Sequence, residues 1–263
     1  MRALASYVAA VVAYDVDLGS PGVHRGLPST TLTFVLPVGE PLDVGWRGRP
    51  ESREPRWSTV SGLHSHPAEI HHDGHQTGVQ LALTTAGARA LFGVPAAALA
   101  GELLELDDVA PWLGSLPERL DETPQHDWVA LVERTLLAEL ARHDAPGPRA
   151  EVGRALAALT RGASVQAVAD EVGYSRRHLG DLVRSECGVG PKEVQRLGRF
   201  QASRALLGRV PLADVAHRCG YADQAHLSRE WVALAGCPPT TWLREEFPFL
   251  QDLDADDAAG SAP

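Results

Sequence analysis

The chain has 263 residues, a hydrophobic fraction of 44% and a formal net charge of −10 at pH 7. This length allows two domains, each with its own core, and the composition is that of a soluble globular protein. No run approaches the roughly 18 apolar residues of a membrane span, and the apolar N-terminal stretch leads into Asp15 and Asp17 instead of a signal-peptide cleavage site. We therefore expect a cytoplasmic protein with no membrane partner.

The first hundred residues predict a β-rich domain, because several segments are rich in β-branched and aromatic residues and are bounded by proline or glycine. Asp73-Gly74 is typical of a hairpin turn and would join the last two strands. Proline and glycine predict a loop through residues 39–55, and a short helix is expected at 84–95. The expected strands are 30–37, 57–64, 68–72 and 77–83.

Five histidines lie close together between residues 64 and 75. His64 and His66 would share one face of a strand, a pattern that lets two imidazoles bind one metal ion. The alternatives are solvated loop histidines, hydrogen bonds between strands, and pH sensing, since an ordinary histidine has a pKa of about 6.5. No distal histidine motif completes a cupin metal site, so we expect no cofactor. The candidate metal ligands are His64, His66, Glu69 and His75.

Catalytic motifs are absent from the sequence. The serines near the histidines lack a G-x-S-x-G turn, and no glycine-rich loop has the spacing of a phosphate-binding site. The three cysteines include no C-x-x-C pair, which favours small buried side chains in a reducing compartment over a metal or redox site. We therefore do not expect an enzyme.

An amphipathic helix is predicted from about residue 127 to residue 143, followed by a proline- and glycine-containing break and a further helix at 151–160. The apolar stripe of the first helix either joins two chains in a homodimer or packs on its own β-rich domain. The sequence leaves both alternatives open.

One pattern occurs twice in the C-terminal third of the chain. The segment VQAVADEVGY at 165–174 recurs 47 residues later as LADVAHRCGY at 212–221, and after one additional residue Gly188 corresponds to Gly236. A repeat that keeps its apolar spacing and its glycines predicts two copies of one helix-turn-helix unit. One helix over about 191–208 would join the copies.

The helix ends are also predicted by the repeat. Ser164 and Ser175 would cap the two helices of the first copy, with Gly173 ending the first of them. In the second copy, Pro211 would open the first helix and Asp223 would cap the second. Each unit would then hold a short second helix at a steep angle, the geometry with which proteins enter a DNA major groove.

The net charge is unevenly distributed. Residues 1–163 carry 13 arginines and 20 acidic residues, a balance of −7, whereas residues 164–244 carry 11 basic and 8 acidic residues, a balance of +3. Residues 245–263 add six acidic residues and no basic ones. Only the repeat is positive, and its small excess indicates that DNA specificity must depend on base contacts.

The two copies together resemble a known family. The stretch VADEVGYSRRHLGDLVRSECGVGPKEVQRLGRFQASRALL, followed by DVAHRCGYADQAHLSREWVALAGCPPTTWLR, is similar to the paired helix-turn-helix domain of AraC/XylS-type transcription regulators. The resemblance implies a bacterial sequence-specific regulator of transcription, acting as activator or repressor, with an N-terminal regulatory domain. Its implied partners are double-stranded DNA, a small-molecule effector, and RNA polymerase if the protein activates transcription.

The family resemblance also implies which side chains face DNA. In the first copy, Gly180 and Asp181 depart from the family's usual basic or polar residues, so Arg176 and Arg177 are the stronger candidates there. In the second copy, Gln224 and Arg229 are the strongest candidates. The full predicted DNA-binding set is Ser175, Arg176, Arg177, Asp181, Arg184, Asp223, Gln224, Ala225, Ser228 and Arg229.

We accordingly predict an α+β protein in which a β-rich, cupin-like domain precedes an all-α domain with two helix-turn-helix units joined by a helix. The alternative hypothesis is a metal-binding cupin-like domain, using the cluster of His64, His66 and His75, fused to a DNA anchor. The predicted divisions are a regulatory domain at 1–112, a helical connector and dimerisation candidate at 113–163, the paired helix-turn-helix domain at 164–247, and a disordered acidic tail at 248–263.

Overall fold

Two antiparallel sheets form the N-terminal part of the computed structural model, which describes residues 3–142 and 150–245. The acidic tail expected at 248–263 lies outside the described residues. Within the described ranges, no helix is both long enough and apolar enough to cross a membrane.

The first sheet has five strands and the second has four. In spatial order the first sheet contains β1 (Val8–Asp17), β8 (His75–Leu83), β3 (Leu32–Pro37), β6 (Thr59–Ser61) and β9 (Leu103–Leu104). The second sheet contains β2 (Gly22–Gly26), β7 (Ala68–His72), β4 (Leu42–Trp46) and β5 (Glu54–Arg56).

Alternation along β3 shows how the first sheet is packed. Val35 belongs to an apolar cluster shared with Trp46 and Val44 of the second sheet. Its neighbours Phe34 and Leu36 are fully buried on the opposite face, in the cluster that contains the helices of this domain. Successive strand side chains point to opposite faces, so the first sheet lies between the second sheet and a helical layer.

The predicted hairpin at Asp73-Gly74 is wrong. The strand before it, β7, pairs with β2 and β4, whereas the strand after it, β8, pairs with β1 and β3. The turn therefore carries the chain from one sheet to the other. An aspartate–glycine pair specifies a tight turn, but which strands pair depends on contacts distant in sequence.

The predicted loop at 39–55 is also wrong in part. It contains β4 and the start of β5, separated by a short 3₁₀ turn at Pro50–Ser52. The backbone at Gly45 lies close to the backbone at Arg53, since a side chain on Gly45 would collide with it. Glycine in these strands therefore reflects close packing of two backbone segments and does not mark a loop.

Helices cover the outer face of the first sheet. Helix α1 (Thr85–Phe92) follows β8, as expected, and is capped by the Thr84 side chain. After a 3₁₀ turn at Ala96–Leu99 come α2 (Leu106–Val109), α3 (Leu116–Asp121) and α4 (Trp128–Arg142). The apolar stripe of α4 packs on α1, α3 and β1 of its own chain. A homodimer formed through this helix stays a prediction.

The remaining helices form the C-terminal part. They are α5 (Ala150–Thr160), α6 (Val165–Val172), α7 (Arg176–Cys187), α8 (Pro191–Leu206), α9 (Leu212–Arg218), α10 (Gln224–Ala235) and α11 (Pro239–Glu245). Helices α6 and α7 form the first copy of the repeat, and α9 and α10 form the second. The joining helix α8 ends two residues before Gly208, because Leu207 adopts an extended conformation.

The predicted helix caps are confirmed. The Ser164 and Ser175 hydroxyls accept from the backbone N–H groups of the residues three positions later, at 3.1 and 3.2 Å. Asp223 does the same for α10 at 2.6 Å. Gly173 ends α6 with φ of 75°, a conformation that side chains with a Cβ rarely adopt. Caps and glycines at fixed positions of the repeat therefore determine where the second helix of each copy begins.

Gly198 on α8 tests how closely the helices pack. A methyl group on this residue would collide with the carbonyl oxygen of Thr160, at the end of α5. Gly153 on α5 is a matched control, since nothing lies within 4 Å of its Cβ position.

We expect Gly198→Ala to lower the free energy of unfolding by about 1–3 kcal/mol through overpacking. Gly153→Ala should raise it by about 0.5–1 kcal/mol through helix propensity. Urea unfolding measures both, and a stabilised Gly198→Ala would contradict the close packing.

Candidate nucleic-acid interface

The first turns of α7 and α10 are exposed. Arg176 and Arg177 on α7 face solvent, and so do Gln224, Ala225 and Arg229 on α10. The opposite faces of both helices are buried, with Leu179 at 1% and Leu227 at 0% exposure. Each helix is therefore held by its apolar side while its polar side is free for a ligand.

The predicted set as a whole divides between these two helices. Ser228 is half-buried and the other nine members are exposed. Ser175 and Asp223 already use a side-chain oxygen to cap their helices. Their backbone N–H groups lie where helix N-termini commonly bind phosphate.

The sequence predicted that Gly180 lies on the exposed face of α7, and the structure shows that this is wrong. It is buried, because the guanidinium of Arg184 lies across it, 3.3 Å from the position that a Cβ would occupy. Arg184 also reaches Asp181 at 3.5 Å. The glycine thus provides space for an arginine from the next turn, and the positive charge of Arg184 lies above a position that has no side chain.

A repeated aromatic pair supports the start of each exposed helix. The Tyr174 and His178 rings pack edge to face with centroids 4.7 Å apart, and Tyr221 and His226 do so at 5.4 Å. Both pairs join the turn to the first turn of the following helix. Neither pair was predicted from the sequence, although both copies have a tyrosine directly after the turn glycine and a histidine four or five residues after that tyrosine, which was a usable signal.

Helices α8 and α10 are joined by an ion-pair network centred on Arg196. Its Nε donates to Glu230 at 2.7 Å and its Nη1 donates to Glu193 at 3.0 Å. Burial alone would lower the pKa of Arg196, but the hydrogen bonds and charges of the two carboxylates raise it. The network fixes α10 relative to the helix that leads back to the first copy.

Comparison with known proteins agrees with this geometry. A family model described as a helix-turn-helix domain matches residues 168–245. The match covers both helix-turn-helix units and the helix that joins them. The resemblance of these residues to the helix-turn-helix domain of AraC-type regulators is thereby confirmed. No curated protein matches the chain.

Solved structures similar to this chain include the crystal structure of ToxT from Vibrio cholerae O395. It has a TM-score of 0.52 and 11% identity, covering 93% of this chain and 99% of ToxT. Unsaturated fatty acid bound ToxT from Vibrio cholerae strain SCE256 has a TM-score of 0.50 and 14% identity, covering 90% and 95%. The likeness is one of fold, and it confirms a β-rich domain followed by a helix-turn-helix domain.

A DNA complex is also among the similar structures. The DNA-binding domain of AdpA, a global transcriptional factor, in complex with a target DNA has 28% identity and a TM-score of 0.32. It covers 36% of this chain and 88% of the AdpA domain.

The histidine cluster does not form a metal site. His64 and His66 lie in a loop, since β6 ends at Ser61, and the shared strand face expected for them is wrong. Glu69 pairs with Arg47 at 3.5 Å, and His75 contacts Asp15 at 2.6 Å at the far end of the sheets. The described residues contain no group of three or more side chains placed to hold a metal ion. The alternative hypothesis of a metal-binding domain therefore has no support.

His64 instead belongs to the core of the N-terminal domain. The Trp46 ring packs against the His64 and His66 rings, with centroids 4.8 and 4.7 Å away, and the two imidazoles also contact each other with centroids 6.0 Å apart. The Nδ1 atom of His64 lies 2.7 Å from the His66 carbonyl oxygen and donates to it. Burial lowers the pKa of His64 to about 4, although this hydrogen bond opposes the shift.

The depressed pKa of His64 predicts a loss of stability in mild acid. Between the ordinary pKa and about 4, the unfolded chain binds a proton that the folded chain does not, so the free energy of unfolding falls as the pH falls. From pH 7 to about pH 5, this one group should remove about 2 kcal/mol. Urea unfolding at both pH values should show a smaller decrease for His64→Gln than for the unsubstituted protein. Equal decreases would contradict the buried neutral imidazole.

Proposed function

We propose that this chain is a DNA-binding regulator of transcription, which reads two successive major-groove segments on one face of a duplex, one with α7 and the other with α10. The observation that carries the proposal is that both helices are capped alike and expose their first turns. The joining helix α8 has 16 residues, a length of about 24 Å. Successive major grooves on one face lie about 34 Å apart, so a helix of this length suits two such units on one duplex.

The exposed side chains suggest how each helix contacts DNA. Arg229 would bind a guanine edge with two hydrogen bonds, and Gln224 would bind an adenine in the same way. Arg176 and Arg177 would contact phosphates or bases near the first helix, whereas Asp181 would accept from a cytosine amino group. The second unit therefore supplies more of the sequence discrimination, and the first supplies more of the charge.

Regulation through the N-terminal domain is the second part of the proposal. A cavity of about 790 Å³ opens between the two sheets, and apolar residues such as Val23 and Leu42 line it together with charged and amide side chains. A small effector with both apolar and polar groups, bound there, would shift the population of conformations in which the DNA-binding helices are presented. Among the similar structures, ToxT from strain SCE256 has an unsaturated fatty acid bound. The polar lining residues here are Tyr14, Glu40, Asp43, Arg53, His71, His72, Asp73, His75, Gln76 and Thr77.

The remaining partners follow from this role. The regulator would act in the cytoplasm, where it would meet its promoter, and would contact RNA polymerase if it activates transcription. Two chains would associate in a homodimer if the operator contains two copies of the site.

The test of sequence-specific binding is titration of the purified chain against DNA fragments. The fragments come from the region upstream of its own gene and from a pool selected from random sequence, with scrambled DNA as control at near-physiological salt. Binding at least a thousandfold tighter than to scrambled DNA is expected. If neither source yields a preferred fragment, the proposed function fails.

Arg229 provides the residue-level test. We expect Arg229→Ala to weaken binding to the specific site by about 1–3 kcal/mol, because a two-point contact to guanine is lost, and to leave nonspecific binding nearly unchanged. Arg119, exposed on α3 and outside the helix-turn-helix units, is a matched control whose replacement by alanine removes the same charge. An equal loss on scrambled DNA would mean that Arg229 contacts only phosphate.

A further inference from the structure

The N-terminal domain contacts the C-terminal ends of both DNA-binding helices. Gly188 directly follows α7 and Gly236 directly follows α10, and these glycines are equivalent positions of the repeat. Different elements of the N-terminal domain meet the two ends. The N-terminal domain thus contacts the same position of the repeat in both helix-turn-helix units.

The contact at the end of α7 is a two-point ion pair. The Nε atom of Arg89 on α1 donates to the Glu186 carboxylate at 2.9 and 3.0 Å, and its Nη2 donates at 2.8 Å. The Glu186 side chain is only 6% exposed. Two parallel hydrogen bonds fix orientation as well as distance. Loss of the arginine would leave a buried carboxylate without its main partner, which favours separation of the two surfaces.

Close backbone packing reinforces this ion pair. A methyl group on Gly188 would collide with the Cβ atom of Ala100 and lie 3.3 Å from the Cα atom of Ala97. The end of α7 therefore abuts the 3₁₀ turn at Ala96–Leu99, with no space for a side chain between them. The contact depends on glycine and alanine at facing positions.

The end of α10 is held by Arg47, which follows β4. Its Nη1 atom donates to the Gly236 carbonyl oxygen at 2.8 Å, and Glu69 of β7 holds the same guanidinium at 3.5 Å. A methyl group on Gly236 would collide with Arg47. A cation at the carbonyl end of a helix also interacts favourably with the helix dipole.

Two further contacts tie the same domain to the helices around α10. The Thr30 hydroxyl donates to Gln201 of α8 at 3.0 Å, and Arg25 of β2 pairs with Glu245 of α11 at 3.1 Å. The N-terminal domain consequently contacts α7, α8, α10 and α11. Its own apolar cluster continues into Phe200 and Trp231.

We infer that Arg89 and Arg47 are positioning residues for DNA recognition: the N-terminal domain clamps both DNA-binding helices by their C-terminal ends and sets the operator spacing that they read. This inference rests on the proposed function. The clamp leaves the N-terminal halves of both helices exposed, and these halves carry Arg176, Gln224 and Arg229. It therefore fixes the relative orientation of the helices without covering the surface that meets DNA.

Clamping has a defined consequence for affinity. When two binding elements are held at a fixed separation, the second binds as an intramolecular event only if the DNA sites have the matching spacing. A regulator with an intact clamp should discriminate strongly between spacings. One with a broken clamp should bind the matching operator more weakly and tolerate other spacings better, because its helices sample several orientations.

The first test follows amide hydrogen exchange in the free full-length chain. We expect exchange in the last turn of α7 to be at least about tenfold faster in Arg89→Ala, because that turn opens more often without its buried partner. The charge-reversed pair Arg89→Glu with Glu186→Arg should restore slow exchange. Arg119→Ala, an exposed substitution on α3 of the same domain, is the control. Unchanged exchange in Arg89→Ala would overturn the clamp.

The second test uses operators with altered spacing. Inserting five base pairs, about half a helical turn, between the two contacted segments should weaken binding of the unsubstituted chain at least about tenfold. For Arg47→Ala with Arg89→Ala, we expect about tenfold weaker binding to the unaltered operator and less than about threefold sensitivity to the insertion. A purely stabilising role would lower the melting temperature and leave the spacing preference intact, and that result would overturn the inference.

The two tests separate this inference from the proposed function. If the unsubstituted chain selects no DNA at all, the proposed function fails, while amide exchange still decides whether the clamp exists. If DNA is selected and the spacing preference of the double variant equals that of the unsubstituted chain, the proposed function stands and the clamp does not set operator spacing.

Discussion

The packing of α8 is the constraint on which the DNA-binding surface depends. Val194, near its start, belongs to the apolar cluster of the first helix-turn-helix unit, whereas Leu197 and Phe200 belong to the cluster that contains the second unit and the N-terminal domain. The centroid of the Phe200 ring lies 4.7 Å from the centroid of the Trp231 ring on α10. Because one rigid helix is buried in both clusters, α8 limits the separation of the two units. The contacts of the N-terminal domain at the ends of α7 and α10 then limit the orientation of the exposed helices.

Local signals in the sequence predicted most of the C-terminal domain. Caps at Ser164, Ser175 and Asp223 and the helix end at Gly173 each depend on residues within four positions, so a repeated pattern was sufficient to place them. The N-terminal domain was less predictable, because pairing of β7 with β2 and β4 connects segments far apart in the chain. Composition indicated its β-rich character but not its two sheets.

The candidate DNA-binding site could likewise be predicted only in part. The exposed arginines of α7 and α10 could be predicted, because each follows a cap at a fixed offset. The burial of Gly180 under Arg184 could not, since it depends on the rotamer of a side chain one turn away. Nor could the contacts of Arg89 and Arg47, which join residues 97 and 189 positions apart. A sequence pattern can identify a DNA-binding unit, whereas the way in which the other domain holds it emerges only from the folded chain.

Simultaneous contact of one chain with DNA through both helices is the feature on which the proposed function depends, and hydroxyl-radical footprinting on a selected DNA fragment tests it most directly. We predict two protected segments on the same face of the duplex, with centres about 10 base pairs apart. Protection of a single segment, with the rest of the fragment cleaved as in free DNA, would contradict two-helix recognition.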